Sequence, residues 1–113
     1  MRIYKKMSIS ASHTLKLPYQ SACNRLHGHN YTIEIWLERP LDDRGMVMDF
    51  VDIKNVVNEL DHRDLNAIIK HPTAENMVQY LMGKFWDMCS WTSVKVRVWE
   101  TDTGYAEDEK RSV

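Results

Sequence analysis

The chain has 113 residues, of which 43% are hydrophobic and 27% are charged, a balance that suits one globular domain over residues 1–113. Its formal net charge of −1 supplies no basic surface for nucleic acid or anionic lipid, so we expect neither partner. The sequence shows no apolar run near the ~20 residues of a membrane span, no signal-peptide core and only two cysteines, so we expect a cytoplasmic protein without disulfides.

Two strands are predicted in the first third of the chain, where apolar and polar residues alternate. Residues 2–13 follow a period of two, which is typical of a strand, and residues 27–38 follow it again. The apolar face of the first strand ends with His13, and that of the second begins with His27 and His29. We therefore expect all three imidazoles on the apolar side of the sheet.

Two helices are predicted next, because the period of the apolar residues changes. Residues 50–60 carry apolar side chains at helical spacing, with Asp49 or Asp52 near the start as the cap. Thr73 can cap the second helix, and Glu75 in its first turn complements the helix dipole. The apolar stripe of this second helix comprises Met77, Val78, Leu81, Met82, Phe85, Trp86 and Cys89.

The last segment returns to a period of two over residues 94–100, and a charge-rich strand is expected near residues 105–109. The order β-β-α-α-β-β predicts the α+β class, with an antiparallel sheet and two helices. Four strands are too few to close a barrel, so this sheet must have open edges. Trp36 and Trp99 lie on otherwise polar strand faces, and we expect another subunit to cover part of that surface.

His13, His27 and His29 form a candidate metal site. Because His27 and His29 are two residues apart on a strand, they project from one face with Cα atoms roughly 7 Å apart. Imidazoles on an apolar face need partners, and His13 joins the other two if the two strands pair. Three histidines with one open position are typical of a catalytic zinc site. The alternative is a solvated strand start together with an ordinary buried histidine.

Cys23 lies in the loop between the first two strands, and its spacing leaves its role open. It could be a fourth ligand, which would close the metal site and make it structural. It could instead lie near the open position as a base or nucleophile, or it could have no role. Cys89 belongs to the apolar stripe of the second helix, so we expect it to be inert.

Two further positions carry candidate polar chemistry. Glu100 continues an apolar strand face, where a carboxylate is costly unless a ligand with two adjacent N–H donors pairs with it. The alternative is that Glu100 lies at the strand end and is already hydrated. Asp61 and His62 follow the first helix and form a candidate proton shuttle, although a histidine at a helix end can simply act as a cap.

Six short motifs contain these residues and follow one another along nearly the whole chain. They are SASH at residues 10–13, CNRLHGHNY at 23–31, MDF at 48–50, LDH at 60–62, PTAEN at 72–76 and VRVWET at 96–101. The ordered set closely resembles the 6-pyruvoyltetrahydropterin synthase superfamily. The three-residue gap between Cys23 and His27 is similar to that of its 6-carboxytetrahydropterin synthase branch, which acts in queuosine biosynthesis.

The resemblance implies a T-fold, in which three subunits join their sheets into a barrel and two trimers commonly stack into a homohexamer. It implies active sites at the subunit interfaces and a Zn²⁺ ion held by His13, His27 and His29. The residues that it implies for proton transfer are Cys23, Asp61 and His62. Those that it implies for pterin binding are Glu100, Thr73 and Glu75.

The activity that the resemblance implies is that of a carbon–carbon lyase, a 6-carboxy-5,6,7,8-tetrahydropterin synthase. Its substrate is 7,8-dihydroneopterin triphosphate, and it releases acetaldehyde and triphosphate. The alternative in the same superfamily is a 6-pyruvoyltetrahydropterin synthase, which eliminates triphosphate from the same substrate. Two less favoured alternatives are a zinc-stabilised binding module and a cupin, but Glu34 has the wrong parity to join His27 and His29 in a cupin site.

Overall fold

The predicted alternation and helical spacing correspond to regular elements in the computed structural model, which describes residues 1–113. The strands are β1 (Arg2–His13), β2 (His27–Glu38), β3 (Arg63–Asp64), β4 (Ser93–Thr101) and β5 (Gly104–Arg111). The helices are α1 (Phe50–Asn58) and α2 (Ala74–Trp86), and short 3₁₀ turns lie at Ala22–Asn24 and Leu65–Ala67. The predicted order of strands and helices is confirmed, with β3 as an addition between the two helices.

The five strands form one sheet in the order β3-β1-β2-β4-β5. The pairs β1–β2, β2–β4 and β4–β5 are antiparallel, as predicted for an α+β fold, whereas β3 runs parallel to β1. Strand β3 has only two residues, so it has no periodicity from which it could be predicted. Its pairing with Ala11 and Ser12 holds the segment after α1 against the histidine end of β1.

The hydrophobic core lies between the helices and one face of the sheet. Ile33, Ile35 and Leu37 of β2 are fully buried at every second position. On α2, the buried side chains are Met77, Val78, Leu81, Met82 and Phe85. Trp86 ends the helix half-buried, and Cys89 lies beyond it, so the predicted stripe extends past the helix. Neither helix is both long and apolar enough to cross a membrane.

Capping residues fix where the two helices begin. The start of α2 matters for the candidate site because it lies next to the histidines. Asp49 caps α1 and Thr73 caps α2, each through a side-chain oxygen that accepts a backbone N–H of the first turn, at 2.8 and 3.1 Å. Both predicted caps are confirmed. Phe50, the first residue of α1, is 48% exposed and lies outside the buried stripe to which its spacing assigned it. Immediately before α2, the buried Pro72 places its carbonyl against the ring of His13.

The helix-free face of the sheet is polar and well connected. Glu34 is only 9% exposed there. Its two carboxylate oxygens accept hydrogen bonds from the Tyr4 hydroxyl and from Nε1 of Trp99, both at 2.6 Å, and Nη1 of Arg97 lies 3.5 Å away. Trp36 packs against Tyr4 with ring centroids 5.0 Å apart. Trp36 and Trp99 therefore have partners within the chain.

Candidate active site

The β1–β2 register brings the three histidines together at one end of the sheet. His13, the last residue of β1, pairs directly with His27, the first of β2, and His29 lies two residues further on the same face. Their ring centroids are 4.4, 4.8 and 5.1 Å apart. Glu100 joins them from β4, and one potential ligand atom from each of the four residues lies within 4.8 Å of the others. This group could hold a metal ion.

Backbone carbonyls fix the tautomer of two of these histidines. Nδ1 of His13 lies 2.6 Å from the carbonyl oxygen of Pro72, and Nδ1 of His27 lies 2.6 Å from that of Arg25. Because a carbonyl oxygen can only accept, each Nδ1 carries the proton and donates it. In the neutral ring, Nε2 then presents a lone pair, which is the form that binds a metal.

Three buried side-chain polar atoms have no hydrogen-bond partner, and all three belong to this cluster. They are Nε2 of His13, Nε2 of His29 and the hydroxyl of Tyr31. Native proteins leave few such atoms, because an unpaired buried polar group costs about 1–3 kcal/mol. A metal ion between the imidazoles would engage both nitrogens, so these residues fit Zn²⁺. Burial lowers the pKa of His29, against the opposing effect of the Glu100 carboxylate, and so favours the neutral ring that a metal needs.

Glu100 faces the histidines from the end of β4. Its Oε1 atom lies 3.3 Å from Nε2 of His13 and 3.5 Å from Nε2 of His29, and its side chain is 36% exposed. The β4–β5 pairing changes register between Trp99 and Thr101, so the irregularity falls at Glu100. Glu100 therefore borders both the imidazoles and solvent.

A pocket of about 340 Å³ opens beside Glu100, between the start of α2 and the turn that joins β4 to β5. Glu75 and Tyr105 also line it, so the structure brings the two predicted pterin-binding glutamates together. Thr73 is not part of the lining, and its hydroxyl is engaged in capping α2. Two carboxylates and an aromatic ring give the pocket the means to accept N–H donors and to stack on a flat ligand.

Asp61 and His62 lie against β1 in a conformation that Ser10 holds. His62 has a φ of 56°, in the left-handed region that residues other than glycine seldom adopt. The Ser10 carbonyl accepts from the His62 N–H at 2.6 Å, and the Ser10 N–H donates to Oδ1 of Asp61 at 2.8 Å. The hydrogen bond from Ser10, and to a smaller extent that of His62, lowers the pKa of Asp61.

The imidazole of His62 contacts the carboxylate of its neighbour Asp61. Nδ1 of His62 lies 3.0 Å from Oδ2 of Asp61, so the carboxylate orients the imidazole. The side chain is exposed and lines an open groove of about 450 Å³, which His29 also lines. Strain that the surrounding structure maintains in this way is common at functional sites. The predicted Asp–His pair is therefore formed, and His62 borders a groove that residues of β1 and β2 line mainly from the helix-free face of the sheet.

Cys23 is a free, half-buried cysteine in the 3₁₀ turn between β1 and β2. Its N–H donates to Oγ of Ser21 at 3.1 Å, and its carbonyl accepts from the Leu15 N–H at 2.8 Å. The thiol is not part of the metal-ligand group and lines neither the groove beside His62 nor the pocket of the two glutamates. Within one copy of the chain, the structure does not bring Cys23 to the Asp–His pair.

Two contributions to this site lie outside the residues that were selected from the sequence. Tyr31 is fully buried, with its ring centroid 5.9 Å from that of His13 and 5.5 Å from that of His29. Burial, with a contribution from the Glu100 carboxylate, raises the pKa of Tyr31, so the hydroxyl stays protonated and can donate. Its parity in β2, the same as that of His29, could have identified it. The second contribution is the carbonyl of Pro72, which contacts His13. Because the two residues are distant in sequence, no local pattern predicts this contact.

Comparison with known proteins agrees with the motifs. The family model described as 6-pyruvoyl tetrahydropterin synthase matches residues 2–111. A Pyrococcus horikoshii protein, provisionally named 6-carboxy-5,6,7,8-tetrahydropterin synthase, is 32% identical over 94% of this chain and 88% of its own length. A dihydroneopterin monophosphate aldolase from Pyrococcus furiosus is 38% identical over 71% of this chain and 70% of its own.

The fold is matched as well. The structure of Caenorhabditis elegans 6-pyruvoyl tetrahydropterin synthase superimposes with a TM-score of 0.70 at 25% identity, covering 100% of this chain and 96% of that chain. The T-fold implied by the sequence motifs is therefore confirmed. Because the family model spans almost the whole chain, this protein belongs to the 6-pyruvoyl tetrahydropterin synthase family.

Proposed function

We propose that this protein is a zinc-dependent 6-carboxy-5,6,7,8-tetrahydropterin synthase of queuosine or related 7-deazapurine biosynthesis. The reaction converts 7,8-dihydroneopterin triphosphate and water to 6-carboxytetrahydropterin, acetaldehyde and triphosphate. The observation that carries the proposal is the pair of buried, unpartnered Nε2 atoms on His13 and His29, beside a pocket with two carboxylates. Similarity to the P. horikoshii protein over 94% of the chain and the three-residue gap between Cys23 and His27 favour the carboxy-forming branch.

His13, His27 and His29 are the proposed zinc ligands. The carbonyl contacts of His13 and His27 orient their rings and leave Nε2 free, as the partners of metal-binding histidines commonly do. A bound Zn²⁺ would polarise the side-chain oxygens of the substrate as a Lewis acid. Glu100 is 36% exposed and borders both the histidines and the pocket with Glu75, so the substrate side chain can approach the ligand set from that side.

Glu100 and Glu75 are the proposed anchors of the pterin ring. The 2-amino group and the neighbouring ring N–H of a pterin are two adjacent donors, and one carboxylate can accept both. Glu100 belongs both to the pocket and to the histidine group, so a ring held in the pocket directs its substituent toward the metal site. Thr73 contributes by fixing the start of α2, which carries Glu75.

Cys23, Asp61 and His62 are the proposed proton-transfer groups. Asp61 has a lowered pKa, so it stays ionised and orients the imidazole of His62 for accepting or donating a proton. Cys23 lies apart from this pair within one chain. We therefore propose that the thiol of one subunit meets the Asp–His pair of another, with the active site at the subunit interface.

The proposed assembly is a trimer or a dimer of trimers in the cytoplasm, in which residues 1–113 of each copy form one domain. Both edges of the sheet are open, because β3 covers only the end of β1 and nothing pairs with the outer side of β5. The backbone N–H and C=O groups along these edges are free to pair with another copy. Pairing of the β1 edge of one copy with the β5 edge of the next would close a ring of copies and remove the exposed edges.

Two other pterin activities are the alternatives, and each has its own support. The match to the C. elegans enzyme over 100% of this chain supports 6-pyruvoyl tetrahydropterin synthase activity. The identity of 38% to the P. furiosus protein supports an aldolase activity on dihydroneopterin monophosphate. All three activities use a pterin with an oxygenated side chain, so the fold and the metal cluster alone do not distinguish them.

Product analysis distinguishes the three activities. The zinc-loaded protein is incubated separately with 7,8-dihydroneopterin triphosphate and with the monophosphate, and the products are identified by mass spectrometry. We expect acetaldehyde and 6-carboxytetrahydropterin from the triphosphate. Release of 6-pyruvoyltetrahydropterin or selective cleavage of the monophosphate would establish the corresponding alternative. No turnover of either compound would contradict all three, and protein treated with a chelator is the matched control.

A further inference from the structure

We propose that Glu100 is the fourth metal ligand of the substrate-free protein and must leave the metal when a pterin binds, so that metal and pterin compete for one carboxylate. This role rests on the proposed pterin activity, because it concerns the same site. The proposal adds Glu100 to the ligand set of three histidines. The resemblance in the sequence motifs assigns Glu100 only to pterin binding.

The contact between Glu100 and His13 joins two acceptors. Nδ1 of His13 donates to the Pro72 carbonyl, so in the neutral ring, the form that binds a metal, Nε2 presents a lone pair. Oε1 of Glu100 lies 3.3 Å from that nitrogen, beyond the usual N–H···O distance of about 2.9 Å, and Nε2 has no hydrogen-bond partner. Two lone pairs that face each other repel. A cation between them converts this repulsion into two attractive contacts.

Two of the three separations between Glu100 and the imidazoles are close to the edges of a tetrahedral zinc site. With zinc–ligand distances of about 2.0–2.1 Å, neighbouring ligand atoms of a tetrahedron lie about 3.3–3.4 Å apart. Oε1 of Glu100 lies 3.3 Å from Nε2 of His13 and 3.5 Å from Nε2 of His29. The carboxylate oxygen thus lies at a fourth-ligand distance from two of the three imidazoles, and a small shift toward His27 would complete the position that the three-histidine interpretation left open.

The other candidate side chains do not occupy this position. The thiol of Cys23 and the carboxylate of Glu75 both lie outside the group of ligand atoms. Glu75 shares the 340 Å³ pocket with Glu100 but not the contact with the imidazoles. It is therefore a matched control, with the same charge in the same pocket.

One carboxylate cannot serve both partners fully at the same time. A bidentate pair with the two N–H donors of a pterin uses both oxygens, whereas the metal uses Oε1. By linkage, pterin and metal must then weaken each other's binding by the same factor. A substrate with side-chain hydroxyls can fill the vacated position on the metal and offset this loss. A pterin without such hydroxyls, for example 6-methylpterin, therefore reveals the competition most clearly.

The first test measures zinc affinity without any pterin. Wild type, Glu100→Gln and Glu75→Gln are titrated with Zn²⁺ against a chromophoric chelator. We expect Glu100→Gln to lower the affinity by about 10–100-fold, the range seen when the surroundings of a metal site are disrupted. Glu75→Gln should leave the affinity unchanged. Equal affinities for wild type and Glu100→Gln would overturn the proposal.

The second test uses only wild-type protein, so it does not depend on the folding of a variant. Binding of 6-methylpterin is measured by calorimetry with zinc-loaded and with zinc-free protein. We expect binding to the zinc-loaded form to be at least about fivefold weaker, within the usual range of coupling between sites. Equal or tighter binding to the zinc-loaded form overturns the proposal. Absence of binding to the zinc-free form also overturns it, because Glu100 would then not be a pterin anchor.

The two proposals can fail separately. If the protein converts dihydroneopterin triphosphate while zinc affinity is the same in Glu100→Gln as in wild type, the activity stands and the fourth-ligand role is wrong. If zinc and 6-methylpterin compete but neither dihydroneopterin phosphate turns over, the competition stands and the proposed reaction is wrong.

Discussion

Glu34 and Glu100 are acidic residues of one sheet with contrasting surroundings. Glu34, on the helix-free face, accepts hydrogen bonds on both oxygens and has Arg97 nearby, so its charge is compensated within the chain. Glu100, at the histidine end, faces the unpartnered nitrogens of His13 and His29. A fully satisfied buried network stabilises a fold, whereas buried acceptors that face each other are stable only with a cation or a proton donor between them. We therefore interpret the polar cluster around Glu34 as structural and the cluster around Glu100 as functional.

Removal of a histidine should have the largest effect. We expect His29→Ala to lose most of its bound zinc and to lower turnover on the order of 10³-fold or more, because several kcal/mol of charge stabilisation disappears. Metal content is measured by mass spectrometry and turnover by acetaldehyde release. His71→Ala alters an exposed histidine outside the cluster and should change neither quantity. A full complement of zinc in His29→Ala would show that the unpartnered nitrogens have another purpose.

Cys23→Ala should separate proton transfer from metal binding. Because the thiol lies outside the metal-ligand group, we expect the variant to keep its zinc. Turnover should fall by about 10²–10⁴-fold, the usual contribution of a positioned acid or base. Cys89→Ala, at the other free cysteine, is the matched control and should retain both zinc and activity. Loss of zinc from Cys23→Ala would identify the thiol as a ligand and contradict the proposed role.

The two carboxylates should also differ in their effect on stability. Glu34→Gln keeps the shape of the side chain but removes the charge that Tyr4, Trp99 and Arg97 contact, at a cost of about 1–3 kcal/mol. Glu100→Gln in zinc-free protein should cost much less, since it removes a carboxylate that faces other acceptors. Thermal unfolding at one fixed protein concentration measures both. Equal losses of stability would mean that the contrast between the two carboxylates is wrong.

Most of the fold could be predicted because its main elements are long and locally patterned. Residues 2–13 alternate with Lys5 as the exception, residues 27–38 alternate as well, and they form β1 and β2 with those boundaries. Two elements could not be predicted this way. Strand β3 exists only through its pairing with β1, and the left-handed backbone of His62 depends on hydrogen bonds to Ser10. Both depend on contacts between residues far apart in sequence, which leave no local period.

The candidate site likewise contains residues that local sequence patterns place correctly and residues whose positions depend on contacts far apart in the chain. The parity of β2 and its pairing with β1 suffice to bring His13, His27 and His29 together. Glu100 joins them because it continues the apolar face of β4, so alternation also predicts the side of the sheet on which it lies. In the proposed assembly, the position of Cys23 relative to Asp61 and His62 depends on how copies pack together, and that information does not reside in any one segment of the chain.

The smallest expected effect is on the pH dependence of thermal stability, which isolates the contribution of the Glu34 charge. Burial alone would raise the pKa of Glu34, but the hydrogen bonds from Tyr4 and Trp99 and the charge of Arg97 outweigh it and lower the pKa below the usual 4.5. The charged form therefore stabilises the folded protein at pH values above the unfolded pKa, and this contribution is lost as the pH falls through the folded value. The difference in Tm between wild type and Glu34→Gln should be constant from neutral pH to about 5 and should narrow below about 4.5. A difference that persists undiminished at about pH 3, below the usual carboxyl range, would show that shape rather than charge makes Glu34 stabilising.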